Sequence, residues 1–103
     1  MIRLEEFLER CVREGADGIE MEYKDGYEEL YAREGNTALG TRIPSSSPEA
    51  TALRQGLHSM AKKKRQRMVV DGVEYELRAS MYDSFGETAY RVRIIRPKKP
   101  ARR

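Results

Sequence analysis

The sequence predicts an α+β fold in two layers, an antiparallel sheet with two helices on one face, in the order α-β-β-β-α-β-β-β. Three observations predict it. Apolar residues recur at helical spacing in two segments, apolar and charged residues alternate in the stretches that follow each segment, and Asp25-Gly26 and Asp71-Gly72 punctuate those stretches as hairpin turns. Strands joined by two-residue turns are antiparallel neighbours. Strands apolar on one side and charged on the other need a sheet with one covered and one solvated face.

Leu4, Phe7, Leu8, Cys11 and Val12 fall at i, i+3, i+4, i+7 and i+8, the stripe of an amphipathic helix. Glu6/Arg10 and Glu9/Arg13 support its other face at i,i+4, and Gly15 is placed to end it as a left-handed cap. Cys11 lies in the apolar stripe and reads as a small core residue rather than a reactive thiol. Ile19, Met21 and Tyr23 then alternate with Glu20, Glu22 and Lys24 as a half-buried strand. Asp25-Gly26 turns it into a strand from about Tyr27 to Arg33. Glu34-Gly35-Asn36 leads into a third strand, Thr37 to Ile43, and Pro44–Pro48 forms a short linker.

Ser46 or Ser47 can cap the second helix, with Pro48 at its first position and Ala50, Leu53, Leu57, Met60 and Ala61 as its buried stripe. Met68 to Val70 reads as a short strand, and Asp71-Gly72 is the second hairpin turn. Val73, Tyr75, Leu77, Ala79 and Met81 alternate with Glu74, Glu76, Arg78 and Ser80. After a loop through Asp83-Ser84-Phe85-Gly86-Glu87, Tyr90, Val92 and Ile94 alternate with Arg91 and Arg93. Antiparallel pairing of these last strands would set Glu74 and Glu76 against Arg91 and Arg93 on the exposed face. Tyr23, Tyr75 and Tyr90 share the apolar pattern and read as core. Pro97 and Pro100 stop the sheet, so residues 1–96 are expected to form one domain and 97–103 a disordered basic tail.

Charge restricts the partners. Residues 1–34 hold 11 acids and 5 bases, residues 42–103 hold 6 acids and 15 bases, and the net charge is +3. Lys62, Lys63, Lys64, Arg65 and Arg67 form one basic run, and Arg96, Lys98, Lys99, Arg102 and Arg103 a second. Such fields attract nucleic acid or an acidic protein face. They also serve simply to solvate a small domain, and the lysines in the helix's last turn suit its dipole. Specific reading of single strands needs exposed aromatics, for which Tyr82 and Phe85 in the expected loop are the candidates.

Catalytic constellations are missing from the sequence. His58 is the one histidine and Cys11 the one cysteine, so neither a zinc motif nor a disulfide is available. No phosphate-cradling glycine motif and no nucleophile elbow occurs. Glu20, Glu22, Glu28 and Glu29 could gather at one hairpin, but a solvated strand face accounts for them. The expectation is a protein that is not an enzyme, without cofactor or metal. With no signal peptide or membrane-length apolar run, a cytoplasmic location is expected.

The segment Gly15-Ala16-Asp17-Gly18-Ile19-Glu20-Met21-Glu22 resembles the G-A-S-D-I-H-[IV]-E pattern of the N-terminal, PAS-like domain of type II secretion and type IV pilus ATPases. Glu76-Leu77-Arg78-Ala79-Ser80 is similar to that family's D-L-R-[VF]-S strand. Gly86-Glu87 followed by Val92-Arg93-Ile94 is similar to its G-E-x-x-x-L-R-[IL] strand. Glu20 stands where the family has histidine, the loop like R-R-x-P-Q-D-G is replaced by Lys62–Gln66, and no ATPase domain follows Ile95. The resemblance, over about residues 2–95, implies a protein-interaction or assembly domain that docks on such an ATPase. It also implies that Arg78 and Arg93 reach an anionic group there, a task that suits the planar fork of arginine. The alternative expectation is a small nucleic-acid-binding protein using Lys62, Lys63, Lys64, Arg65, Arg67, Lys98 and Lys99.

Overall fold

A computed structural model of the chain describes residues 2–33 and 39–97. Its elements follow the expected order: α1 (Leu4–Arg13), β1 (Gly18–Lys24), β2 (Tyr27–Arg33), β3 (Gly40–Pro44), α2 (Pro48–Lys63), β4 (Arg65–Val70), β5 (Val73–Ser84) and β6 (Glu87–Ile95). The strands form one antiparallel sheet in the order β3-β2-β1-β6-β5-β4. Each half of the chain therefore supplies three neighbouring strands, and β1 joins β6 at the centre. The turn expected at 34–36, the first residues of the expected third strand, and the tail with Lys98 and Lys99 lie outside the described residues.

Helix α1 ends as its sequence requires. Gly15, at φ 84°, donates to the Val12 carbonyl and Ala16 donates to the Cys11 carbonyl, the paired bonds of a Schellman cap. Cys11 and Ala16 are both fully buried beside that cap, and burial pushes the Cys11 thiol up to about 11, as befits a core residue. Ser47 caps α2 by accepting from the Ala50 N–H at 3.1 Å, with Pro48 following it. Phe7, Leu8 and Val12 of α1 and Leu53, Leu57 and Met60 of α2 cover Ile19, Met21, Leu30, Leu77, Val92 and Ile94 on one face of the sheet. Tyr90 joins this core, Tyr75 lies half-buried at its margin, and Tyr23 is exposed.

Besides the exposure of Tyr23, three sequence expectations change. The strand after α2 begins at Arg65, not Met68, because Lys64 turns to φ 69° and its carbonyl accepts from the Ala79 N–H at 2.9 Å. This moves Arg65 and Arg67 from the helix end into the sheet. The loop 83–87 shrinks to a two-residue turn, Phe85-Gly86, so β5 and β6 run on to Ser84 and Glu87. Registry follows from that turn: Glu76 faces Ile95, Arg78 faces Arg93 and Ser80 faces Arg91, so the expected Glu–Arg pairs do not form across β5 and β6. Phe85 holds φ 52°, where the other two hairpins place Asp25 and Asp71 at 51° and 50°. A left-handed residue other than Gly, Asn or Asp costs roughly 1–2 kcal/mol.

The third correction concerns Glu28, which is not on a solvated face. It shares the inward side of β2 with Leu30 and is 4% exposed. Arg54 of α2 approaches its carboxylate at 2.9 Å, the Ser45 hydroxyl donates to it at 3.0 Å, and Arg54 also donates to the Ser45 carbonyl. A buried carboxylate survives only when its lone pairs are met. This clamp fixes α2 against the β2 end of the sheet. Arg54→Ala should therefore lower unfolding free energy by about 3 kcal/mol in urea titration, since it strands a buried charge. Glu28→Leu combined with Arg54→Met should recover most of that loss, and a double variant as unstable as the single one contradicts a pairing role.

Candidate functional site

The face of the sheet opposite the helices carries its charges in rows set by register. One row crosses five strands as Arg65, Arg78, Arg93, Gly18 and Arg33, each facing the next. Adjacent strands lie about 4.8 Å apart, so four guanidiniums share a line of roughly 19 Å with a single gap at the glycine. Like charges set directly opposite destabilise a sheet. Glu76, one row away, offsets part of this by accepting from Arg78 at 2.7 Å and approaching Arg65 at 3.7 Å, and these arginines hold its carboxyl below the usual range. Arg67 pairs with Glu74 at 3.4 Å. Arg93 has no ion pair or side-chain hydrogen bond among the described residues.

Gly18 makes the gap by necessity. A Cβ there would lie 2.2 Å from the Val92 carbonyl oxygen, so no other residue permits this approach of β1 to β6. Asp17 and the flanking backbone tighten the junction: Ile94 N–H donates to Asp17 at 2.8 Å, and Asp17 N–H to Arg33 at 3.0 Å. Over this gap lies a recess of about 360 Å³, lined by Gly18, Arg33, Arg93, Arg96 and the Val92–Ile95 stretch. Arg96 is committed elsewhere, donating to the Ala16 carbonyl at 2.8 Å and the Val12 carbonyl at 3.3 Å, and so completes the cap of α1. Arg93, and in part Arg33, are the cations a ligand in the recess would meet.

The neighbouring row is neutralised from within. Glu20, only 7% exposed, stands between Tyr31 and Arg91. Arg91 donates to its Oε2 through Nε at 3.0 Å and Nη2 at 2.9 Å, and Tyr82 donates to the same oxygen at 2.8 Å. Tyr31 donates to Oε1 at 3.0 Å, with Arg33 Nε 3.4 Å away. Burial opposes ionisation, but the bonds from Tyr82, Arg91 and Tyr31 outweigh it and hold the Glu20 carboxyl below its ordinary value. Burial and that same carboxylate push the Tyr31 hydroxyl up to about 12 and raise that of Tyr82 as well. This saturated cluster is architecture, not chemistry.

The residues singled out in the sequence are thus partly brought together. Arg78 and Arg93 are cross-strand partners, but Arg78 is held by Glu76 and Arg93 is the free one. Arg65 and Arg67 join them on the same face, whereas Lys62 and Lys63 end α2 and Lys64 forms its cap, all exposed. Tyr82 lies in β5 with its hydroxyl bound to Glu20, not in a loop; Phe85 is fully exposed at the hairpin tip. His58 is exposed on α2. Arg33 and Gly18 were not legible as site residues, because only the β1–β6 pairing sets them beside Arg93. Among the described residues, no three His, Cys, Asp or Glu side chains gather as a metal-ligand set, and no helix is long and apolar enough to cross a membrane.

Glu20 sets a pH dependence with a definite sign. Its folded carboxyl titrates below the ordinary value of 4.5, so its contribution is complete above that pH and is lost as pH falls through the depressed folded value. Urea midpoints should fall on acidification below about pH 4.5. Glu20→Gln should start about 2 kcal/mol less stable at neutral pH and decline less steeply in acid. Parallel acid profiles for the two proteins contradict this role.

No family model, curated protein or solved structure matches the chain.

Proposed function

We propose that this chain is a non-enzymatic interaction domain that docks on a partner through its open sheet face and holds a phosphate group of that partner at Arg93. One observation carries the reading: an arginine with no partner among the described residues stands in a row of like charges, at the edge of a recess floored by a glycine. The other arginines of the central strands on that face, Arg91 and Arg78, are held by carboxylates, which leaves Arg93 as the fork open to a ligand there. Arginine binds phosphate through two parallel N–H donors, and the recess leaves the Arg93 fork open to do so. The sequence resemblance supplies the kind of partner, a secretion- or pilus-type ATPase carrying nucleotide, with Arg93 directed at the nucleotide's phosphates and Arg78 beside it.

A second reading is favoured by one observation. Arg65 and Arg67 lie on the same face as Arg78 and Arg93, so the basic run and the arginine pair form one surface able to follow a nucleic-acid backbone. The open-face tyrosines give this reading little support, because Tyr31 and Tyr82 are bound to Glu20 and Tyr27 lies under Arg42.

Calorimetric titration with tripolyphosphate, ATP and a single-stranded oligonucleotide separates the readings. The docking reading predicts binding of tripolyphosphate and ATP, weakened at least tenfold (about 1.4 kcal/mol) by Arg93→Ala. The thermal midpoint of that variant should not fall, since removing Arg93 relieves repulsion with Arg78 across the strands. Micromolar oligonucleotide binding with a steep salt slope, lost in Arg65→Ala/Arg67→Ala, would transfer the function to nucleic acid. If wild-type protein binds none of the three, both readings fail.

A further inference from the structure

The β5–β6 hairpin ends in a feature that the fold does not use. Phe85 is fully exposed, and it occupies a left-handed turn position that the other two hairpins give to aspartate. Asp83 and Glu87 flank it, and Asp83 also accepts from the Gly86 N–H at 3.4 Å. The tip is thus an aromatic ring between two carboxylates. Acids at that point disfavour a nucleic-acid backbone or an anionic membrane, and favour an apolar or π-accepting seat rimmed by cations.

The chain carries such a seat. The recess over Gly18 is floored by the backbone of the Val92–Ile95 stretch, whose Val92 and Ile94 side chains turn to the core, and is edged by Arg93, Arg33 and the outward Ile95. A guanidinium over a phenyl face is a favourable contact, and one without a competing carboxylate is available for it. The tip cannot reach its own recess. Arg93 lies six residues along β6 from Glu87, roughly 20 Å up a rigid strand. The occupant is therefore a second copy.

We infer that the chain self-associates head to tail, with the Phe85 tip of one copy seated against Arg93 in the recess of the next and the flanking carboxylates facing Arg33 and Arg93. Such a contact uses different surfaces on the two partners, so it is met either reciprocally in a closed assembly or successively along an open one. It does not depend on the partner proposed above, although both use Arg93. Occupation of the recess by phosphate and by the tip is mutually exclusive, so tripolyphosphate should disperse the assembly.

Sedimentation velocity on the full chain, from low micromolar to near millimolar concentration, tests this. The weight-average mass of wild type should climb above that of the monomer as concentration rises. Phe85→Asn, which suits the turn, and Arg93→Ala should each stay monomeric, a loss of at least about tenfold in association constant. An equimolar mixture of these two variants should form a one-to-one complex and stop, because each brings one intact surface. Wild type that stays monomeric throughout, growth that persists in Phe85→Asn, or a mixture that stays monomeric overturns the inference. Phe85→Asn retains the whole arginine row, so its titration with tripolyphosphate reports on the phosphate reading separately.

Discussion

The pairing of β1 with β6 is the junction on which everything else in this fold depends. Each half of the chain folds locally into three neighbouring strands, and only the four residue pairs from Gly18–Arg93 to Met21–Tyr90 fuse them into one sheet. Both faces reinforce that seam. Beneath it, Ile19 and Val92 are fully buried under the helices. Above it, Glu20 of β1 is bound by Arg91 of β6, by Tyr31 of β2 and by Tyr82 of β5, so one carboxylate ties together four strands from both halves. Replacing water around a carboxylate is favourable only with donors this numerous.

The seam also creates the surface with functional potential. Arg33 belongs to the first half of the chain and Arg65, Arg78 and Arg93 to the second, and they share a line because Gly18 lets the halves approach. Charges on the open face fall into two kinds. Those of Arg91 and Glu20 cancel within the structure and stiffen it. Arg93 is left uncancelled, beside a gap that no side chain fills. The surface has its own polarity, a row of arginines at the Gly18 end of the central strands and an acid-flanked aromatic tip at the far end of β6.

Much of the architecture was legible in the residues, for identifiable physical reasons. Two Asp-Gly pairs mark turns whose backbone only such residues take without strain, and strict alternation in Val73–Met81 declares a half-covered strand. The turn at Phe85-Gly86 was missed because phenylalanine is a poor occupant of its position, and that miss displaced the expected cross-strand partners of Arg93. The inward placement of Glu28 was in fact encoded: it shares parity with Leu30, but an acid in a charged stretch reads as solvated until Arg54 is seen opposite it. Arg78 and Arg93 stood out in local motifs, but their alignment with Arg33 and Arg65 had no local signal. It is assembled from positions 33, 65, 78 and 93, and distance along the chain carries no register.

Native-state hydrogen exchange across the seam tests the central claim most directly. If β1 and β6 form the junction of a single cooperative sheet, the amides of Ile19, Met21, Tyr90 and Val92 that are bonded across it exchange only through global unfolding, at the free energy found for the slowest amides of β5. Seam amides that open at a clearly lower free energy, while β2 and β5 stay protected, would show two separately folded halves in loose contact and contradict it.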